Sequence, residues 1–213
     1  MSALNPDKAL IFRITHMDNV PWLLRHGLHC QNAAPRDPQY RVIGNPDLIA
    51  RRQHRHVPVP PYGTLADYVP FYFTPCSIML YNIRTGHGGV AILPNEEIVI
   101  LVSSLRRVAQ LNIPFVFTDR HAYVQTATFY NSLDDLTKVD WPLLQSRNFR
   151  NNPDDPGKKE RYQAEALIYR HLPIAGLLGA VCFNAAAQAR LQNELAALNL
   201  SLRVEARPDL YFT

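Results

Sequence analysis

No stretch of this 213-residue chain approaches the ~18 consecutive apolar residues of a membrane-spanning helix, and the opening MSALNPDKAL lacks the apolar centre of a secretion signal. A soluble, cytoplasmic protein is expected. Cysteine is scarce: Cys30, Cys76 and Cys182 are odd in number, far apart and never spaced Cys-x-x-Cys, which argues against a disulfide framework and a zinc signature. All three are expected to be reduced and mostly buried. Long runs of one charge sign are also missing, and 47% apolar with 19% charged residues is a globular composition, not a disordered one. No repeat with a period of roughly 20–50 residues appears, which argues against solenoids. The familiar signatures GxGxxG after a strand, GxxxxGK[ST], HExxH and GxSxG are absent as well. The length suits one domain, residues 1–213, expected to be monomeric and large enough to bury a core.

What is present begins with arginine. The net charge is only +4, but seven arginines lie between Arg13 and His56 against Asp18, Asp37 and Asp47, and the stretch Arg51-Arg52-Gln53-His54-Arg55-His56 holds no acid. Such a block suits a polyanion, or else is a solvated helix end that serves only solubility.

Apolar runs and turn residues predict an α+β order. Residues 9–14 read as a first strand ending at His16, and Asp18 or Asn19 with Pro21 opens a short helix that stops near Gly27. Asn45 and Pro46 start another helix, expected to carry Leu48 and Ile49 inward and to end in Arg51, Arg52 and Arg55. Residues 57–63 hold three prolines and form a stiff loop. Strands are predicted over residues 67–73, 97–102 and 113–118, the last two forming the sheet centre, with a short helix over 105–110 between them and Ser77 as a helix cap. Residues 148–159, rich in Asn, Asp, Pro and Gly, are a loop of the length that often carries function. Residues 164–169 fit strand or helix, 177–183 a strand, Asn184 caps a helix to Leu198, and 200–205 is a last strand.

Candidate chemistry is sparse. His26, His29 and Cys30 have metal-like spacing but no evident further ligands, so no metal is expected. Asp119-Arg120-His121 reads as a turn after a strand, and nothing in the sequence supports a catalytic His121. Glu165 stands between a long polar loop and an apolar run, which places a carboxylate at the rim of the core. Such an acid is a structural acceptor or a catalytic group.

Three segments decide between these readings: Ile14-Thr15-His16 with Asp18-Asn19, Asp67-Tyr68-Val69-Pro70-Phe71-Tyr72-Phe73-Thr74-Pro75 running into Ser77-Ile78-Met79-Leu80, and Arg161-Tyr162-Gln163-Ala164-Glu165. With Pro114-Phe115-Val116-Phe117-Thr118-Asp119 between them, the chain resembles the DarT-type DNA ADP-ribosyltransferase toxins over nearly its whole length. The resemblance implies an ADP-ribosyltransferase-like split β core with flanking helices. It also implies NAD+ as co-substrate, no metal, a base in single-stranded DNA as acceptor and a macrodomain antitoxin, DarG, as partner.

By the same resemblance, Glu165 and Arg52 are the catalytic pair, and Arg13, Thr15, His16, Asn19, Tyr72 and Ser77 hold NAD+. Arg13 stands where relatives often carry histidine. Arg51, Arg55, Asn148, Phe149 and Arg150 are expected on the DNA. The wording of Asn95-Glu96-Glu97-Ile98-Val99-Ile100 and of Asp154-Asp155-Pro156 before Glu160-Arg161-Tyr162 resembles relatives associated with guanine more than those that modify thymine. Two alternatives stay open: an NAD+-dependent transferase acting on RNA or protein, and a catalytically silent nucleic-acid-binding module.

Overall fold

The computed structural model describes residues 4–213, so the first three residues of the N-terminal segment lie outside it. The first apolar run forms strand β1 (Leu10–His16), and helix α1 (Val20–His26) follows with Pro21 in its first turn. A short strand β2 (Leu28–His29) precedes helix α2 (Pro46–Arg52), which Asn45 caps by accepting from Leu48 N at 3.0 Å. Strand β3 (Tyr68–Tyr72) starts one residue later than expected, because Asp67 is spent in a 3-10 turn capped reciprocally with Thr64. Ser77 caps helix α3 (Ile78–Thr85). Strand β4 (Ile98–Ser104), helix α4 (Leu105–Gln110) and strand β5 (Phe115–Thr118) then follow.

After β5 come strand β6 (Phe129–Tyr130) and helix α5 (Trp141–Ser146). The polar loop is irregular until helix α6 (Lys158–Arg161). The ambiguous run 164–169 is a strand, β7 (Glu165–Tyr169), because β3 and β5 pair with it on either side. Strand β8 (His171–Leu172) pairs with β2, and β9 (Gly179–Cys182), helix α7 (Ala185–Ala197) and β10 (Val204–Ala206) close the fold. Asn184 caps α7 as its sequence predicts, and the crossover makes β9 and β10 a parallel pair.

Eight strands form one sheet in the order β10-β9-β4-β1-β3-β7-β5-β6. The sheet centre is therefore β1 and β3, not β4 and β5, which lie in different halves. Neighbours in sequence are not neighbours here, because non-local pairing inserts β1, β3 and β7 between them. β1 pairs with β4 along its whole length, from Leu10↔Ser104 to His16↔Ile98, but meets β3 only at Phe12↔Tyr72. Beyond that point the strands diverge, and the sheet splits into two halves.

One face of both halves packs a common core, with Val69 and Phe71 of β3, and Phe73 just after it, beside Ala166 and Ile168 of β7, under α1 and α7. The other face has two separate covers. α3 packs Leu80 and Ile83 against Phe12, Ile14 and Ile100 of one half, while Val57 and Leu65 pack against Tyr68, Val116 and Leu167 of the other. Between the covers the split stays open, and α2 crosses it without a fully buried residue. Leu48 and Ile49 accordingly line a cavity there and are only half-buried, where the sequence pattern had placed them in the core.

The second cover depends on a tight turn. Gly63 has φ +88°, and a Cβ there would come within 2.7 Å of the Asp67 carboxylate that caps Thr64. Gly63→Ala should therefore lower the unfolding free energy by about 1–2 kcal/mol or more, measured as a shift in urea midpoint at unchanged m-value.

Candidate active site

The cavity at the split holds about 410 Å³. Arg13 and Ile14 of β1 form one lip, Tyr68, Pro70 and Tyr72 of β3 the other, and Arg52 and Glu165 line it as well. Antiparallel register sets this geometry: Tyr72 sits opposite Glu165, so the aromatic ring and the carboxylate emerge side by side.

Glu165 is 1% exposed, deeper than a rim position. Its amide donates to Thr118 Oγ1 at 3.2 Å, which fixes the start of β7 against the end of β5. Its Oε1 accepts from Arg52 NH1 at 3.1 Å and from the Ala122 amide at 3.0 Å. Its Oε2 lies 2.9 Å from Arg52 NH2, which is close but not aligned as a hydrogen bond. Oε2 is thus the less occupied oxygen, and Arg52 keeps a buried N–H group to give.

The charges hold each other. Burial alone would push the Glu165 carboxyl up, but the Arg52 guanidinium, by charge and hydrogen bond, and the Ala122 amide outweigh it and keep the group below the usual carboxylate range. Burial likewise opposes the Arg52 cation, and the Glu165 charge more than restores it. Burial pushes the Tyr72 phenol up, so it stays protonated, and its hydroxyl meets only the weak acceptor Met79 Sδ at 3.9 Å. Arg13 donates to Pro70 O at 2.8 Å across the split, and no carboxylate within 4.0 Å pairs with it among the described residues.

His121, which the sequence offered only as part of a turn with nothing to support a catalytic role, lies beside Glu165. His121 Nδ1 is 3.7 Å from Oε1, in a segment held by a bond from the His121 amide to Glu160 O at 2.9 Å. Nδ1 accepts from the Tyr123 amide at 3.1 Å, which leaves the proton of the neutral ring on Nε2. Burial, more than any neighbouring charge, lowers the His121 pKa and favours that neutral form. The only sequence signal was a histidine just past the end of a strand.

Other expected site residues stand away from the cavity wall. Thr15 and Asn19 are buried beneath it, and Asn19 clamps the Arg41 backbone, donating to its carbonyl at 2.9 Å and accepting from its amide at 2.8 Å. His16 accepts from the Asp18 amide at Nδ1 and turns Nε2 to Glu97 at 3.0 Å, beside the Arg41 guanidinium. These three residues hold the segment that carries Tyr40, Val42 and Ile43 to the cavity. Ser77 is buried as the cap of α3.

Of the residues expected on DNA, Arg51 is exposed at the end of α2. Arg55 is committed to protein, donating to Val124 O at 3.1 Å and to Gln125 Oε1 at 3.0 Å. Phe149 packs on Tyr81, Tyr162 and Phe212, so its ring anchors the polar loop instead of facing solvent, while Asn148 and Arg150 are exposed. His26, His29 and Cys30 hold no metal-like arrangement: His29 stacks on His171, and both Nε2 atoms turn to His26 O at 2.9 Å.

Glu165→Gln should leave a buried, uncompensated guanidinium and cost about 3–5 kcal/mol. The double variant Glu165→Gln/Arg52→Gln should cost clearly less than the sum of the two single changes. A chemical-denaturation cycle measures that coupling, and additive losses would disprove it.

The family model described as "ssDNA thymidine ADP-ribosyltransferase, DarT" matches residues 12–212. A protein of Escherichia coli O127:H6 named DNA ADP-ribosyl transferase is 53% identical over 212 residues, spanning 100% of this chain and 97% of the relative. The structure of Thermus sp. 2.9 DarT in complex with ADP-ribosylated ssDNA superposes with a TM-score of 0.90 at 35% identity, covering 100% of both chains. Its complex with NAD+ gives 0.84 at 34% identity, over 97% of this chain and 99% of that one. Thermosipho africanus DarTG in complex with ADP-ribose shares the fold, at a TM-score of 0.76 and 17% identity, with 51% of its length covered. The chain, with an arginine–glutamate pair buried at the split of its sheet, belongs to the DarT family of DNA ADP-ribosyltransferases.

Proposed function

We propose that residues 1–213 act as one domain that transfers ADP-ribose from NAD+ to a guanine base of single-stranded DNA. The buried Arg52–Glu165 pair at the cavity wall carries this reading. The residues present suit NAD+: Arg52 NH2 is a buried donor without an aligned acceptor, and Arg13 is a cation without a carboxylate, both facing a cavity with Tyr72 and Tyr40 on its wall. A diphosphate would supply an anion for Arg13 and an acceptor for the remaining Arg52 N–H.

The chemistry follows from the geometry. The bond between ribose C1′ and the nicotinamide nitrogen breaks, its electron pair leaves on nicotinamide, and positive charge develops on the ribose. An anionic Glu165, with Oε2 less occupied, accepts a hydrogen bond from a ribose hydroxyl and stabilises that charge as it forms. A base nitrogen then bonds to C1′, and its proton passes to the Glu165 carboxylate. Arg52 cannot release a proton, so it orients the carboxylate and holds its charge. His121, neutral and beside Oε1, borders the path by which the base arrives.

Guanine is supported by the wording of residues 95–100 and 154–162, against the thymidine in the family's description. A macrodomain antitoxin is the partner implied by the family resemblance, and the toxin role rests on the same ground. Incubation with NAD+ and oligonucleotides that each lack one base, followed by nucleoside mass spectrometry, tests the acceptor. ADP-ribosyl-deoxyguanosine is expected. ADP-ribosyl-thymidine would overturn the base, and transfer only to RNA or protein would overturn the substrate class.

The acid–base state of the site sets its pH dependence. Glu165 and His121 both have lowered pKa values, so each acts in its deprotonated form above the ordinary values of about 4.3 and 6.5. Their contributions to stability are likewise complete above those values and fade as pH falls. kcat/KM for NAD+ should therefore stay level from about pH 8 to 6.5 and decline only in more acidic buffer. A rate that rises as pH falls through this range would contradict the assignment.

A further inference from the structure

We infer that Tyr62 is a stacking platform for a nucleotide that flanks the target base in the single-stranded DNA. The inference rests on the reading that the chain acts on such DNA, and it assigns a role to a residue outside the cavity.

Tyr62 is 57% exposed, and among the described residues its ring faces no other ring and its hydroxyl has no hydrogen-bond partner. Its backbone is pinned all the same. The amide donates to Val59 O at 2.8 Å, the carbonyl accepts from Tyr68 OH at 2.6 Å, and Val57 N donates to Gly63 O at 2.9 Å. Tyr62 also has φ +62°, a left-handed conformation in which a turn ordinarily places Gly or Asn. A bulky aromatic held there at a conformational cost, and presented to water, is a feature whose benefit lies outside the fold.

Its position matches an extended strand of DNA. Tyr68, which grips Tyr62, pairs with Tyr169, four residues along β7 from the Tyr72↔Glu165 pair, or about 13 Å at ~3.3 Å per residue. Tyr68 lines the cavity and Tyr62 does not, so a bound dinucleotide leaves the Tyr62 ring free on the outer side. The loop bearing Tyr62 is fastened to the segment beside Glu165: Arg55 bonds Val124 and Gln125, and Asn131 Nδ2 donates to Pro60 O at 3.3 Å. Platform and catalytic carboxylate therefore belong to one rigid body. Nearby, the half-exposed Arg170 guanidinium lies 5.3 Å over the Tyr169 ring and 3.5 Å from Asp67, and offers a cation to the phosphate chain. Stacking on a fixed aromatic is tolerant of base identity, so this site would hold the strand and leave the choice of base to the residues around Glu165.

Tyr62→Asn removes the ring while keeping a residue that accepts positive φ. It should raise KM for the oligonucleotide ~5- to 100-fold, the equivalent of one lost base stack, with kcat at saturating DNA and KM for NAD+ within ~2-fold of wild type. Tyr62→Trp should stay near wild type. An abasic site moved along the flanks of the target should show one position at which wild type and Tyr62→Asn become equal. Unchanged KM for DNA in Tyr62→Asn, a raised KM for NAD+, or no such abasic position would overturn the inference. A wild-type enzyme that modifies no DNA would instead overturn the reading beneath it, and the inference with it.

Discussion

A buried guanidinium and a buried carboxylate, each unaffordable without the other, organise this molecule. Glu165 is 1% exposed and Arg52 belongs to a helix with no fully buried residue, yet they meet across 113 positions of sequence. The pair ties the helix that spans the open split to the strand at its floor. Its desolvation is compensated by a second donor, the Ala122 amide, which brings the segment after β5 to the same point.

The cavity exists because the sheet is incomplete. β1 and β3 share one paired position, and each half of the sheet then acquires its own cover on the cavity face. Period-2 alternation along β3 assigns Val69 and Phe71, with Phe73 just beyond its end, to the shared core and Tyr68, Pro70 and Tyr72 to the cavity. Arg13 bridges the gap through Pro70 O, which gives this residue a mechanical part in holding the two halves together.

Beneath the cavity, polar residues hold loops in place. Asn19 clamps Arg41, and Asp18 joins the Arg41 and Arg190 guanidinium groups at 2.7 Å each, linking α7 to the segment along the cavity edge. Such partly exposed ion pairs add little stability singly, but here they restrict a segment that contributes few core residues. Thr15, His16 and Asn19 thus lie buried behind the cavity wall in this structure.

The sequence alone determined the local events, because caps, prolines and apolar runs act over a few residues. Asn45, Ser77 and Asn184 cap the helices they were expected to cap, and the apolar runs became strands. What it did not determine was long-range. The strand order, the split, the depth of Glu165 and the approach of His121 depend on contacts between distant segments, which carry no periodic signature. Arg55 and Phe149 show the same division: a basic and an aromatic residue in polar stretches read as surface groups, yet one bonds Val124 and Gln125 and the other packs on Tyr81, Tyr162 and Phe212. Family resemblance pointed to the groups expected to do the chemistry, and tertiary packing decided which of them face the cavity, because a side chain's partners are set by where the whole chain places it.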